Sequence, residues 1–161
     1  MTDTTLTASR LWKRMTADQR LRAARALWAD KEAAGDKQQA AQLIAKHMKF
    51  RPKSVSGLDA DRKARYLTAV PEVPEELAAH LLIMFHLAEQ RPMMGTFLDA
   101  LGIKHDDGMI DEEHVTPDPT KFGAAKAAIT AAYPAEDVAL YLDTLQWQDP
   151  ASWGALRGDG G

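Results

Sequence analysis

The densest group of side chains capable of chemistry lies between residues 104 and 114, KHDDGMIDEEH, which holds five carboxylates and two histidines. Carboxylates bind hard cations, and imidazole adds affinity for transition metals. The candidate metal ligands in this loop are His105, Asp106 and His114. The competing interpretation is an exposed turn kept hydrated by its acidic residues, with Met109 and Ile110 packed inward, and we favour it.

A calcium-binding EF-hand loop does not fit this segment. Setting Gly108 at loop position 6 puts Ile103, His105 and His114 at positions 1, 3 and 12. The EF-hand requires oxygen ligands at those positions, so the register is wrong.

The His105-Asp106 doublet resembles that of the HD-domain phosphohydrolases, which are all-helical and bind metal through separated His, His-Asp and Asp residues. The resemblance implies a metal-dependent hydrolase that uses the loop 105–114. Residues that could complete such a site are His80 or His86 upstream and Asp137 or Asp143 downstream. The doublet of that family belongs on a helix, whereas Asp107-Gly108 is typical of a turn.

A second pair of candidate ligands lies on the apolar segment between Pro74 and Pro92. At 100° per residue, His86 falls in the most polar sector of this helix, three residues before Glu89. Such a pair can bind a metal or relay a proton, although a structural hydrogen bond is the interpretation we favour. His80 falls among apolar neighbours, where we expect a buried neutral imidazole with a carbonyl or carboxylate partner.

The basic segment 44–56, IAKHMKFRPKSVS, resembles the middle of a helix-turn-helix motif. An Ile-Ala pair would pack the first helix, and the Ser-Val-Ser run would open the recognition helix. The candidate nucleic-acid contacts are Lys46, Lys49, Arg51, Lys53 and Ser54. The segment departs from the motif at Lys49, where glycine is usual and a left-handed backbone is required. It also departs at Gly57, Asp59 and Asp61, which would fall inside the reading helix and weaken it.

Helical periodicity organises the rest of the chain. Prolines bound the segment 74–91, whose side chains are apolar on nearly every side, as in a buried helix. Amphipathic stripes on either side predict further short helices, and strand-like alternation is absent from the sequence. We therefore predict an all-α protein: a compact single-domain bundle of about eight short helices around the central buried helix 74–91. The domain would span residues 1–161, with loose tails at 1–7 and 157–161.

Composition narrows the functional classes. The chain has no cysteine, which excludes disulfides and thiolate chemistry. Its start lacks a signal-peptide pattern, so we expect a cytoplasmic protein without a membrane partner. Residues 1–70 carry 15 Lys and Arg against 7 Asp and Glu, whereas residues 71–161 carry 5 against 16. This asymmetry could indicate an anionic partner for the basic half. The interpretation we favour is that the two halves face each other or that each face is simply solvated.

Three functional hypotheses follow. The first is a non-catalytic cytoplasmic module for protein-protein interaction or self-association, acting through this charge asymmetry or through an adaptable groove lined by methionines. The methionines that could line such a groove are Met84, Met93, Met94 and Met109. The alternative is nucleic-acid binding through 44–56, and the second alternative is the metal-dependent hydrolase. A phosphate-binding glycine loop, a serine nucleophile elbow and an HExxH motif are all missing, so no cofactor is predicted.

Overall fold

The computed structural model describes residues 6–110 and 116–158, and there the protein is essentially all-α, which confirms the predicted fold class. The helices are α1 (Ala8–Arg14), α2 (Ala17–Ala29), α3 (Ala34–Met48), α4 (Pro52–Ser56), α5 (Ala60–Ala69), α6 (Glu75–Glu89), α7 (Arg91–Leu101), α8 (Phe122–Ala132), α9 (Ala135–Gln148), α10 (Pro150–Trp153) and α11 (Ala155–Gly158). Residues 119–121 form a 3-10 turn. Of the predicted tails, 1–5 and 159–161 lie outside the described residues.

One small β-hairpin interrupts the helices, formed by β1 (His105–Asp106) and β2 (Met109–Ile110). The sequence did not predict it, because two-residue strands are too short for alternation to be recognised. The helices α4, α10 and α11 are likewise five residues or shorter. Periodicity therefore predicted only about eight helices.

The chain divides into two compact units. The first, residues 7–89, contains α1 to α6, and the second, residues 90–161 with 1–6, contains the hairpin and the remaining helices. A single domain over residues 1–161 stays a prediction. No helix in the parts of the chain that the structure describes is long and apolar enough to cross a membrane.

The first unit is built on α6, which packs against α1, α2 and α3. Its fully buried side chains are Leu77, Leu81, Leu82 and Phe85. Pro74 precedes the helix, and two glutamates occupy its first turn, where they suit the positive end of the helix dipole. The Arg22 guanidinium lies 5.2 Å from the centre of the Phe85 ring, so it covers one edge of this core.

Local signals in the sequence fix the entry into α2. Thr16 accepts a hydrogen bond from the backbone of Gln19, and the Gln19 side chain accepts one from the backbone of Thr16. This is the capping box that the spacing predicts. Helix α2 also packs on α5, and the Arg25 guanidinium lies 2.9 Å from the Asp61 carboxylate.

The core of the second unit is an aromatic group. Phe97 meets the Tyr141 ring edge-on at a centroid distance of 5.4 Å, and Trp153 lies 6.1 Å from Phe97 and 6.0 Å from Phe122. Burial raises the pKa of the Tyr141 phenol, so the ring stays neutral. These contacts join α7, α8, α9 and α10 around one cluster.

A single carboxylate connects the first and last helices of the first unit. Glu75 opens α6, and its side chain also accepts hydrogen bonds from the backbone of Ala8 at 2.7 Å and of Ser9 at 2.9 Å. The Ser9 hydroxyl adds a bond to the same carboxylate at 3.0 Å. The negative charge thus lies at the N-termini of two helices, where unpaired N–H groups favour it.

We predict that Glu75→Gln lowers the free energy of unfolding by about 1 kcal/mol, because an amide replaces one charged acceptor with a donor that faces backbone N–H groups. Urea unfolding followed by circular dichroism measures the change. Glu76→Gln is the matched control, since it removes the same charge from an exposed neighbouring position in the same turn. Equal losses in both variants would contradict the connecting role of Glu75.

Candidate functional site

A shallow groove of about 300 Å³ lies on the first unit, between the α2–α3 connection and α6. The residues that line it are Asp30, Glu32, Ala33, Asp36, His80, Ile83, Met84 and Leu87. Its floor is apolar, and three carboxylates and one imidazole lie around that floor. This volume is at the lower end of the range for ligand pockets.

The floor of the groove is a second stripe of α6. His80, Ile83, Met84 and Leu87 are spaced at i, i+3, i+4 and i+7, which aligns them on one side of a helix. This side is opposite the buried stripe. Ile83 is 37% exposed, and Met84 and Leu87 are half-buried. The burial of α6 is therefore one-sided, although its composition would suit burial on every side.

The rim is ordered by local hydrogen bonds. The Asp30 carboxylate accepts a bond from the backbone N–H of Glu32 at 2.9 Å, which folds the connection into an Asx turn. The Nδ1 atom of His80 lies 2.9 Å from both carboxylate oxygens of Asp36. The Asp36 side chain is 18% exposed and that of His80 is 44% exposed. The rim thus keeps its carboxylates in defined positions beside the apolar floor.

The start of α3 positions Asp36. The helix begins at Ala34, so Gly35 and Asp36 both lie inside its first turn. No side chain caps the helix at Ala33. Asp36 is therefore free to turn toward His80 rather than toward its own backbone.

The burial of the two histidines of α6 is the reverse of what the sequence predicts. His80, expected to be buried, is partly exposed and bonded to Asp36. His86, expected in the polar sector, is 4% exposed, and its Nδ1 atom lies 2.8 Å from the Leu82 carbonyl oxygen. Glu89 is exposed at the end of the helix. His86 and Glu89 as a metal-binding or proton-relay pair stay a prediction.

The basic segment forms a tight turn between α3 and α4. Lys49 has φ 58° and ψ 35°, the left-handed conformation that the helix-turn-helix comparison requires of this position. Ile44, Ala45 and Val55 are buried. The backbone N–H of Phe50 donates to the Ala45 carbonyl at 2.9 Å, which closes the end of α3.

The second helix of this turn is much shorter than the motif predicts. Helix α4 ends at Ser56, so Gly57 lies outside it rather than inside a reading helix. Asp59 caps α5 through the backbone of Arg62 at 2.8 Å, and Asp61 lies in the first turn of α5. A continuous reading helix is therefore not formed, because the Asp59 cap starts a new helix there.

The candidate nucleic-acid contacts are all exposed: Lys46, Lys49, Arg51, Lys53 and Ser54. The backbone N–H of Ser54 already donates to the Arg51 carbonyl at 2.9 Å. The neighbouring Ser56 hydroxyl donates to the Pro52 carbonyl at 3.2 Å. Phosphate contact at this turn would therefore depend on the basic side chains, and nucleic-acid binding through 44–56 stays a prediction.

The acidic loop begins with the small hairpin. Asp107 and Gly108 form its turn with φ angles of 50° and 89°, as Asp-Gly predicts. Met109, expected to pack inward, is 42% exposed, because its strand partner Asp106 also faces solvent. Ile110 is half-buried, in closer agreement with the prediction. His114 and the acidic residues 111–113 lie outside the described residues.

His105 is engaged at both ring nitrogens. Its Nε2 atom lies 2.7 Å from Asp99, and its Nδ1 atom accepts a hydrogen bond from the Gly108 backbone at 2.9 Å. The side chain is 15% exposed. This arrangement fixes the hairpin onto α7, and metal binding would have to break one of the two bonds. The neighbouring Asp106 is exposed.

The described residues bring together no group of three or more His, Asp and Glu side chains that could hold a metal ion. Asp137, a possible downstream ligand of the hydrolase hypothesis, is 5% exposed within α9. Asp143 is half-buried in the same helix. The groove, in contrast, combines an exposed apolar surface with three nearby carboxylates, those of Asp30, Glu32 and Asp36.

Comparison with protein-family models, with curated proteins and with solved structures finds no match to this chain.

We predict that Gly108→Ala destabilises the second unit by roughly 2 kcal/mol. An added Cβ would lie 2.9 Å from the Cβ of Met94 and 3.0 Å from the Arg91 carbonyl, at a φ that side chains rarely adopt. Thermal unfolding measures the loss.

The matched control is Gly35→Ala, whose Cβ meets nothing within 4 Å on α3. This variant should be more stable by about 0.5 kcal/mol, since alanine favours helix over glycine. A Gly108→Ala protein as stable as the wild type would show that the hairpin is not held tightly against α7.

Proposed function

We propose that this protein is a non-catalytic interaction module, and that the groove on its first unit binds a basic amphipathic helix of a partner protein. The observation that carries the proposal is the apolar stripe of α6 that remains exposed beside three carboxylates. A helix-in-groove interaction uses anchors at this spacing, so a partner helix could set its own apolar side chains against the stripe.

The floor of the groove has the properties of a contact surface. Ile83 is a large apolar residue with 37% exposure, and Met84 and Leu87 extend the apolar surface along the same side. Contiguous exposed apolar surface is a frequent mark of interaction sites. Methionine adapts its shape to different partners, which suits a shallow groove more than a deep pocket. Of the other methionines of the predicted groove, Met93 and Met94 are buried in the second unit and Met109 is exposed there.

The charge of the rim selects the partner. Asp30, Glu32 and Asp36 place three carboxylates around the floor, and among the described residues the one basic group that lines it is the imidazole of His80. Lysine or arginine residues flanking an apolar stripe would complement this rim, whereas an acidic helix would be repelled.

A second copy of the chain is a poorer occupant. The described residues contain one other large apolar side chain of comparable exposure, Met109, and its hairpin neighbours Asp106 and Asp107 are acidic. The exposed basic segment 46–53 contains Phe50, which is half-buried against Tyr66. Neither segment offers exposed apolar and basic side chains together.

We predict that Ile83→Ser weakens binding of a basic amphipathic peptide at least tenfold, because the loss of an apolar anchor of this size costs more than about 1.4 kcal/mol. The probe is a fluorescently labelled 18-residue helical peptide with a leucine stripe flanked by lysines, titrated with the full chain. Binding should weaken as salt is added, since the rim charges are exposed.

Two comparisons make the test specific. Met109→Ser removes an equally exposed apolar side chain from the second unit and should leave peptide affinity unchanged. A peptide with glutamate in place of every lysine should fail to bind. Sedimentation in which the wild type dimerises and Ile83→Ser is monomeric would identify a second copy as the occupant and overturn the proposal.

A further inference from the structure

We propose that the turn between α3 and α4 is a second binding surface, for the phosphodiester backbone of double-stranded DNA, and that it does not read base sequence. This inference concerns residues apart from the groove and does not depend on the function proposed for it. It is carried by four exposed basic side chains on a rigid turn, Lys46, Lys49, Arg51 and Lys53.

Local contacts hold the backbone of the turn that carries these side chains. Lys49 adopts a left-handed backbone, and the Phe50 N–H bonds the Ala45 carbonyl at 2.9 Å. The Phe50 ring then meets the Tyr66 ring of α5 edge-on at 5.5 Å, while Val55 is fully buried. A preorganised turn loses little conformational entropy on binding, which favours contact with a regular array of phosphates.

The charges on this surface have no bonded partner among the residues that the structure describes. No hydrogen bond or ion pair engages the side chains of the four basic residues anywhere in residues 6–110 and 116–158. Elsewhere in the same unit, Arg25 and Arg65 each lie 2.9 Å from Asp61. The basic turn is thus available to an external anion in a way that these arginines are not.

The nearest carboxylates along the chain are already engaged. Asp59 accepts the backbone N–H of Arg62 as the cap of α5, and Asp61 bonds the two arginines on α2 and α5. Both acidic residues would have repelled phosphate had they extended a reading helix. In the folded chain, Asp61 is paired with two arginines and Asp59 is oriented toward its own helix.

The surface continues onto α5. Tyr66 contacts Phe50, and Arg62 and Lys63 precede Tyr66 by four and three positions, so they lie on the same side of the helix. Arg62 is exposed and Lys63 is half-buried. A duplex that contacts the turn can therefore meet further positive charge on the neighbouring helix.

The length of α4 argues against base readout. Five residues span about 7.5 Å along a helix axis, and the cap at Asp59 then redirects the chain. A reading helix must present several side chains along the major groove. Contacts to phosphate position a protein on DNA without carrying sequence information. The basic side chains of this turn can make contacts of that kind.

The ring contacts favour a duplex over a single strand. Proteins that bind single-stranded nucleic acid commonly stack bases on exposed aromatic side chains. Phe50 and Tyr66, the aromatic residues of this surface, are half-buried against one another. A stacking platform is therefore missing from the turn as the structure describes it, while its charges suit a phosphate backbone.

The test is fluorescence anisotropy of labelled 20-base-pair duplexes titrated with the full chain at 50 and 200 mM KCl. If all four basic residues contact phosphate, affinity should fall about a hundredfold between these salt concentrations. Two duplexes of unrelated sequence should bind equally. The double variant Lys49→Asn with Lys53→Gln should reduce the salt effect to about tenfold, and asparagine preserves the left-handed position.

The matched control is Lys104→Asn with Lys121→Gln, which removes two exposed charges from the second unit and should leave the salt effect unchanged. Equal loss in both double variants would overturn the proposal, as would no binding at 50 mM KCl. Preference of more than tenfold for one duplex sequence would contradict the absence of base readout. Binding to phosphatidylserine vesicles without binding to DNA would assign the surface to membranes instead.

Discussion

The burial of one face of α6 is the constraint on which the first unit depends. Leu77, Leu81, Leu82 and Phe85 are removed from water by α1, α2 and α3, and burial of each such side chain contributes on the order of 2 kcal/mol. Helix α1, with seven residues, is too short to be stable alone. It exists because it packs on this face and because the Glu75 carboxylate, at the start of α6, accepts its first backbone N–H groups.

The same helix explains why the groove exists. A segment that is apolar on nearly every side needs neighbours around its whole circumference, but the short α2–α3 connection covers only part of the second stripe. Ile83, Met84 and Leu87 are the residues left partly in water. These three side chains are exposed in part because no helix of the first unit covers them completely. A partner helix could bury them.

The structural features that could be predicted from the sequence are those that local interactions determine. The boundaries of α6, the Thr16 capping box and the Asp-Gly turn each depend on residues close in the chain. Which face of α6 is covered depends on contacts distant in sequence, so the burial of His80 and His86 could not be assigned from periodicity. The helix-turn-helix comparison requires a left-handed backbone at Lys49, and Lys49 adopts that conformation. The pairing of Asp36 with His80, 44 positions apart, left no local signal.

The two surfaces proposed for the first unit differ in rigidity as well as in charge, and this difference fits their ligands. The backbone of the basic turn is held by a left-handed residue, a closing backbone bond and a ring contact, so the attachment points of its basic side chains keep their spacing. The phosphates of a duplex are regularly spaced, and an ordered backbone that carries long basic side chains suits them. The groove floor includes Met84, an unbranched side chain that can change rotamer. Partner helices vary in shape, and an adaptable floor can pack against them where a rigid one would leave cavities.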